Sequence, residues 1–285
     1  MNYKDITVGI VVFKSENVIF DCLKSIKKLN KIIIYDNSND ISLKNRIIKK
    51  YPKIKYILSK KNIGYGAANN KIFKIAKTPY VFVVSPDTIL NKNCIQVLIN
   101  QSNKFIKNFS IISPAANEKN YGFFSKKIIQ KKKSQNIINV DYVKGFAMLI
   151  NVLKIKKIGM FDENIFLYME EIDLCRRLKH EGENIFLIKN AKIKHLFAKS
   201  SNIGFEYEKC RNWHWMWSKV YCDIKNFSYS YSVKKYFFTI SKNLIKSFLH
   251  LIFLNFKKSK ISYLRASGII NSLTGKKSFY RPKIN

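Results

Sequence analysis

Apolar residues run almost unbroken through ITVGIVVF (6–13), and Ile19, Cys22, Leu23, Ile26 and Leu29 then recur at helical spacing. A short continuous apolar run predicts a buried strand, and the three-to-four-residue recurrence predicts a helix packed on it. The alternation repeats. KIIIYD (31–36), IKYIL (54–58) and YVFVV (80–84) read as strands of a sheet covered on both faces, separated by helical stretches at 41–50 and 67–76. Strands at SIISPA (110–115) and YVKGFAMLI (142–150) follow, with the lysine-rich stretch 126–133 between them as a loop or short hairpin. Residues 170–180 predict a further helix, with Gly182 just beyond its end. This order predicts an α/β fold whose first half is like that of nucleotide-binding proteins. The most apolar late run, FLHLIFLNF (248–256), is too short to cross a bilayer and is flanked by Lys246, Lys257 and Lys258.

A chain of 285 residues that is 47% hydrophobic can bury a real core. Its net charge of +35 points toward anionic partners. Only six of the 53 basic residues are arginines, however, and the lysines are spread over every segment. Base reading leans on arginine forks and a concentrated basic stripe, so no nucleic acid is expected, while a general attraction to anions remains. The five cysteines (Cys22, Cys94, Cys175, Cys210, Cys222) are odd in number and form no CxxC pair. That argues against a disulfide framework or a zinc site and fits a reducing compartment. The N-terminus reads as a first strand rather than a signal peptide, so a cytoplasmic location is expected.

Ligand sites of such folds lie beyond the carboxyl ends of the strands. There the chain carries YDNSND, NIGYGAANN (62–70) and VVSPDT. Asp36 either accepts an N–H from a ligand base or closes an Asx turn with Asn37. Gly64 and Gly66 permit close backbone approach. Asp87, the one carboxylate at the end of its strand, suits a hard-metal ligand or a plain turn or helix start. His195 on its own reads as an ordinary core or surface histidine.

Taken together, the order and spacing of these motifs resemble the inverting family-2 glycosyltransferases of the GT-A fold, and among them the rhamnosyltransferase-like branch. The resemblance covers most of residues 6–220. YDNSND resembles a D-N-x-S nucleotide loop, NIGYGAANN an N-x-G-[FY]-x-x-[AG]-x-N motif, and KGFAMLI an acceptor-side G-x-x-M-x-I strand. GMFDENIFLYMEEIDLCRRLKHEG, the most specific, is similar to G-x-F-D-E-x-F-F-x-Y-x-E-D-x-D-L-x-x-R. HLFAKSS (195–201) resembles an H-x-x-x-x-S segment, and YEKCRN (207–212) a Y-x-x-x-R-N helix opening.

The resemblance implies a mixed central sheet flanked by helices, with a catalytic domain over 1–225 and a basic, aromatic-rich helical extension over 226–285. It implies a dTDP- or UDP-activated sugar donor, rhamnose first, a divalent cation (Mg²⁺ or Mn²⁺), and single displacement with inversion onto a surface-polysaccharide or lipid-linked glycan. Donor-binding positions are then Phe13, Asp36, Asn37, Asn62, Gly64, Asn70 and Asp87. Asp87 and His195 are the metal positions, Gly145 and Asp173 lie on the acceptor side, and Glu171 is the base with Glu170 beside it. Ser85 and Glu171 depart from the pattern, standing where an Asn or Asp and an Asp are usual.

The three carboxylates of MEEID are told apart by their neighbours. Asp173 precedes Arg176 and Arg177 by one turn, which suits an ion pair, and Glu170 shares its side of the helix. Glu171 heads an apolar stripe of Leu174, Cys175 and Leu178, where an unpaired carboxylate would be costly without a use. Inversion needs only one base, and no second carboxylate presents itself for a covalent route. A catalytically silent sugar-nucleotide or membrane-surface binding protein of the same fold, and a basic nucleic-acid module, are the alternatives. Residues 231–256 mix aromatics, aliphatics and lysines, as an interfacial helix on an anionic membrane would, or pack as an ordinary helix. Nothing in the sequence assigns an oligomeric state.

Overall fold

The computed structural model describes residues 1–105, 108–116, 136–196, 201 and 203–282. The lysine-rich stretch 126–133 and most of HLFAKSS beyond Leu196 lie outside them. The chain divides into two compact units, one of Met1–Asp162 with Glu171–Asn202, the other of Glu163–Glu170 with Ile203–Asn285. The long helix Gly204–Asn226, placed in the catalytic domain by the expectation above, packs on the C-terminal helices.

The first unit is built on one sheet. Its described strands are β1 (Ile6–Val12), β2 (Ile32–Asp36), β3 (Lys55–Leu58), β4 (Tyr80–Val84), β5 (Thr88–Leu90), β6 (Ile111–Ala115), β7 (Ile137–Asn139), β8 (Ala147–Asn151) and β9 (Ile185–His195). They run in the order β3-β2-β1-β4-β8-β6-β9-β5, with β7 also on β9. The first four are mutually parallel, and β8 enters antiparallel between β4 and β6, giving the mixed sheet that was expected. All seven residues of β1 are buried, which is why its sequence shows no alternation.

Helices α1 (Ile19–Ser25), α2 (Ile41–Lys50) and α4 (Cys94–Phe105) contribute to one buried cluster. Helices α3 (Tyr65–Ile75), α5 (Val152–Lys157) and α6 (Glu170–His180, from Glu171 onward) contribute to a second, with Ile72, Phe73, Ile155, Leu174, Cys175 and Leu178 at its centre. The helix starts are chemically marked, with Asp40 capping α2 and Asn151 capping α5.

Two features of the topology place the site. The chain builds β1, β2 and β3 outward and then returns to the other side of β1 for β4, so the loops after β1 and β4 diverge and open a crevice at the strand carboxyl ends. The long β9 pairs parallel with β6 through Ile188, shifts register where Pro114 and Ala115 meet it, and continues antiparallel to β5 as far as His195 opposite Thr88. YVKGFAMLI becomes regular strand only from Ala147, because residues 143–146 direct their backbone groups elsewhere, as described below.

In the second unit α7 (Gly204–Asn226), α8 (Tyr229–Ile252) and α9 (Phe256–Leu273) are joined by short connections, and α9 packs on both others. Trp213, Trp217 and Leu264 form one small core, and Met216, Val220, Tyr236 and Ile269 another. Gly268 lets α9 approach α7 closely, since a Cβ there would lie 2.5 Å from the Trp213 carbonyl oxygen. Backbone cannot yield as a side-chain tip can. Gly268→Ala is therefore expected to cost about 1–3 kcal/mol or more through overpacking, read as a lower thermal midpoint of the helical signal. An unchanged midpoint would show that the contact is slack.

Candidate functional site

The loop after β2 closes on itself. Asp36 is fully buried, its Oδ1 accepting from the Ser38 N–H (2.7 Å) and hydroxyl (2.5 Å) and its Oδ2 from the Asp40 N–H (3.1 Å) and the Tyr56 hydroxyl (2.8 Å). Asp36 thus closes the turn after β2. Asn37 ties this loop to the glycine loop, its Nδ2 donating to the Gly64 carbonyl (3.1 Å) and its Oδ1 accepting from the Ile63 N–H (3.3 Å). Asn62 accepts from the Gly64 N–H at 3.0 Å, and Gly64 takes φ +91° as the N-cap of α3, a conformation L side chains rarely adopt. Phe13 is half-buried at the end of β1, where its N–H donates to the Ser15 hydroxyl.

From the glycine loop the connection continues to the carboxylate. Tyr65, the first residue of α3, donates its hydroxyl to the Gly145 carbonyl at 2.7 Å. The Gly145 N–H in turn favours the charged form of the Glu171 carboxylate, and the Val143 N–H that of the Cys175 thiol one helical turn later. A Cβ on Gly145 would meet the Glu171 carboxyl carbon at 3.6 Å and the Tyr65 ring at 3.7 Å. Glu171 is half-buried, and burial raises its pKa above the ordinary glutamate value, against the opposing pull of its own N–H, Lys144 and the Gly145 N–H. Burial likewise lowers the Lys144 pKa, in part offset by Glu171.

The next residue, Phe146, serves the other carboxylate. Its carbonyl accepts from the Ser85 N–H at 2.9 Å, and its ring stacks on His195 with centroids 4.4 Å apart. His195 Nε2 lies 3.3 Å from Asp87 Oδ1, and the Ser85 hydroxyl donates to the same oxygen at 2.8 Å. Asp87 is only 2% exposed. Burial is the strongest single influence on it and acts upward, yet His195, Ser85 and the local backbone together hold its pKa below the ordinary aspartate value. The structure thus brings Asp87 and His195 side by side, although no group of three or more His, Cys, Asp or Glu residues suited to a metal exists among the described residues.

Other expected positions have different jobs. Asn70 is buried and spends both amide atoms on Phe161, donating to its carbonyl (2.9 Å) and accepting from its N–H (3.1 Å). In this arrangement it braces the chain at Phe161. Asp173 is 1% exposed and accepts from Arg177 Nε at 2.8 Å, while that guanidinium donates to the Ile158 and Met160 carbonyls.

Glu170 is buried at the start of α6. In its unit, Tyr168 and Met169 just before it hold φ of +66° and +73°, and Arg211 Nε donates to the Tyr168 hydroxyl at 2.7 Å. Two successive left-handed non-glycine residues are a strained arrangement that the surroundings must enforce. Tyr65, Lys144 and Phe146 were not singled out from the sequence, as a lone tyrosine or phenylalanine reads as core; only the positions of Gly64 and Gly145 beside them carried a signal.

Comparison with known proteins agrees with this geometry. The model of the family described as glycosyl transferase family 2 matches residues 7–163, just over half of the chain. The low-salt glycan biosynthesis hexosyltransferase Agl10 of Haloferax volcanii is 31% identical over 201 residues, 64% of this chain and 64% of that protein, so the match spans less than two thirds of the relative. The rhamnosyltransferase WbbL of Escherichia coli K12 is 24% identical over 212 residues, 65% of this chain and 78% of that one. Among solved structures, the mannosyltransferase PcManGT of Pyrobaculum calidifontis, in complex with GDP-Man and Mn²⁺, superposes with a TM-score of 0.61 at 10% identity, over 96% of this chain and 88% of that one. At that identity the likeness establishes the fold, the one anticipated from the motifs.

The bracing role of Asn70 has a measurable consequence. Asn70→Ala leaves two buried backbone groups of Phe161 without partners, at roughly 1–3 kcal/mol for each. A stability loss of about 2–4 kcal/mol in urea unfolding is expected, with nucleotide affinity of the folded fraction unchanged. A selective loss of nucleotide affinity at normal stability would return Asn70 to the donor site.

Proposed function

We propose, since this chain belongs to glycosyl transferase family 2, that it transfers a sugar from a nucleotide-diphosphate donor to an acceptor hydroxyl by single displacement with inversion, Glu171 serving as the base. The observation that carries this reading is the half-buried Glu171 carboxylate beside Gly145, whose proton affinity burial raises. A base poised closer to neutrality than an ordinary glutamate is better matched to accepting a hydroxyl proton. As the acceptor oxygen bonds to the anomeric carbon and the bond to the diphosphate breaks, its proton passes to Glu171.

The donor we put first is a dTDP- or UDP-activated rhamnose, a choice supported by the similarity to a rhamnosyltransferase. The acceptor would be a surface-polysaccharide or lipid-linked glycan, met at the cytoplasmic face of a membrane. Asn37, Asn62 and Gly64 would shape the nucleotide cleft, with Asp36 fixing the loop from which a base is read. Glu170 would act on the acceptor side.

A divalent cation, Mg²⁺ or Mn²⁺, would be held by Asp87 and His195. Their chemistry fits, since one carboxylate and one imidazole lie in contact, and ions of this kind are commonly completed by substrate phosphates and water. When bound, such an ion supplies charge neutralisation for the departing diphosphate. Ser85 holds one Asp87 oxygen in place by its hydroxyl, which keeps the carboxylate oriented where the motif has lost an Asn or Asp. Asp87→Ala is expected to abolish the dependence of nucleotide-sugar affinity on added Mn²⁺ or Mg²⁺, measured by calorimetry. His195→Ala should weaken it less. Equal affinity in wild type with and without EDTA would remove the metal role.

Glu171→Gln should lower kcat by at least about a hundredfold while leaving nucleotide affinity intact. The base works ionised, so wild-type turnover should fall as pH drops through the raised Glu171 pKa, placing the acid limb above the ordinary glutamate range. Stability should move the opposite way. As pH rises between the ordinary and the raised value the unfolded chain loses its proton first, so this group's contribution to folding falls and stays low above both. The variant should therefore melt higher than wild type at neutral pH, the gap closing below the ordinary glutamate range. Near-normal turnover, or no change in melting at any pH, would argue that Glu171 is not the base.

A further inference from the structure

We propose that the outer face of α8 and the turn after it form an interfacial anchor for an anionic lipid bilayer. This deepens the reading above, on which it rests only for the purpose of the contact, by naming the surface that would bring the chain to a lipid-linked acceptor.

Helix α8 is turned inside out relative to an ordinary surface helix. The residues it buries include Ser232, Tyr236 and Asn243, and at its far end Ser247 and Ser259 of α9 bond to each other through hydroxyls and carbonyls at 2.8–3.1 Å. Its exposed positions carry Phe237, Leu244 and Leu251, and Phe238, Ile245 and Ile252, two series at seven-residue spacing with Phe248 between them. Residues seven apart stand on one face of a helix, so these side chains form a stripe. The stripe runs on through the turn, where Phe253 and Leu254 are 77% and 74% exposed, and Phe238 on the helix is 79% exposed. A contiguous apolar patch of this extent on a protein surface marks a binding face.

Charge identifies the occupant. From residue 224 to the end the sequence holds eleven lysines and two arginines and neither Asp nor Glu. Lys242 and Lys246 flank the stripe, and Lys257 and Lys258 follow the turn, all exposed. A second copy meeting this face with its own would set lysines against lysines, whereas anionic headgroups complement them. Among the described residues no helix is long and apolar enough to cross a membrane, so the stripe would lie in the plane of the interface, apolar side chains below and ammonium groups at headgroup level.

The test is flotation of the full chain with phosphatidylcholine vesicles, with or without about a third phosphatidylglycerol, and with no sugar nucleotide present. At ~0.1 M salt the bound fraction should be at least about tenfold higher on the anionic vesicles, and ~1 M salt should release most of it. Phe248→Ser/Phe253→Ser, whose fold is checked by circular dichroism, should reduce binding by about tenfold. Lys242→Gln/Lys246→Gln/Lys257→Gln/Lys258→Gln should erase the preference for anionic lipid. Equal recovery from both vesicle types overturns the proposal. So does a concentration-dependent dimer that Phe248→Ser/Phe253→Ser dissolves, since the face would then be covered by a second copy. Neither readout uses catalysis, so an inactive protein that floats and an active one that does not are told apart.

Discussion

The site depends on where one short loop spends its backbone hydrogen bonds. Residues 143–146 run beside the sheet without joining it as regular strand, and their peptide groups go to three different elements instead. The Gly145 carbonyl receives Tyr65 from α3, the Phe146 carbonyl receives the Ser85 N–H after β4, and the Val143 and Gly145 N–H groups act on Cys175 and Glu171 of α6. Buried peptide groups must be satisfied somewhere, so these partners cannot drift independently. The glycine loop, the Glu171 carboxylate and the Asp87–His195 pair are thereby held by four consecutive residues.

Within that frame the two central carboxylates have been given opposite character. Asp87 is enclosed yet supplied with an imidazole, a hydroxyl and its own backbone N–H, which favour the charged form. Glu171 keeps part of its surface open but is crowded by protein with less compensation, which favours the neutral form. Where two acids in one unit are pushed apart in this way, the lower one suits a permanent charge and the higher one proton exchange. The proposed assignment of cation ligand and base follows that division.

Much of this was legible in the chain. Strands β1, β2 and β4 announce themselves because burial on both faces leaves almost no polar position, whereas the edge strand β3 is only partly covered, and α6 was bounded correctly by its apolar stripe and by Gly182. Shorter or mixed elements left weaker traces. Strands β5 and β7 have only three residues each, and β9 follows four apolar residues with three lysines and an asparagine among apolar positions, as suits a strand in contact with several partners. Asn70 illustrates a harder limit. A motif places an asparagine but not the direction of its amide, and only the structure shows that this one faces Phe161. Asp36 is similar, as one residue type serves both a turn and a ligand, while Tyr65 and Phe146 act through a hydroxyl and a ring face that sequence spacing does not report.

The reach of β9 gives the metal pair an arithmetical character. His195 meets Asp87 only because the strand alternates sides with strict period two between its register shift near residue 192 and its last residue. Parity, more than distance, then decides whether an imidazole is present. One residue inserted after the shift would turn the ring to the opposite face, whereas two would restore the face a step farther along β5. Drift in this strand can therefore remove the histidine from the pair in a single event, yet cannot weaken it by degrees.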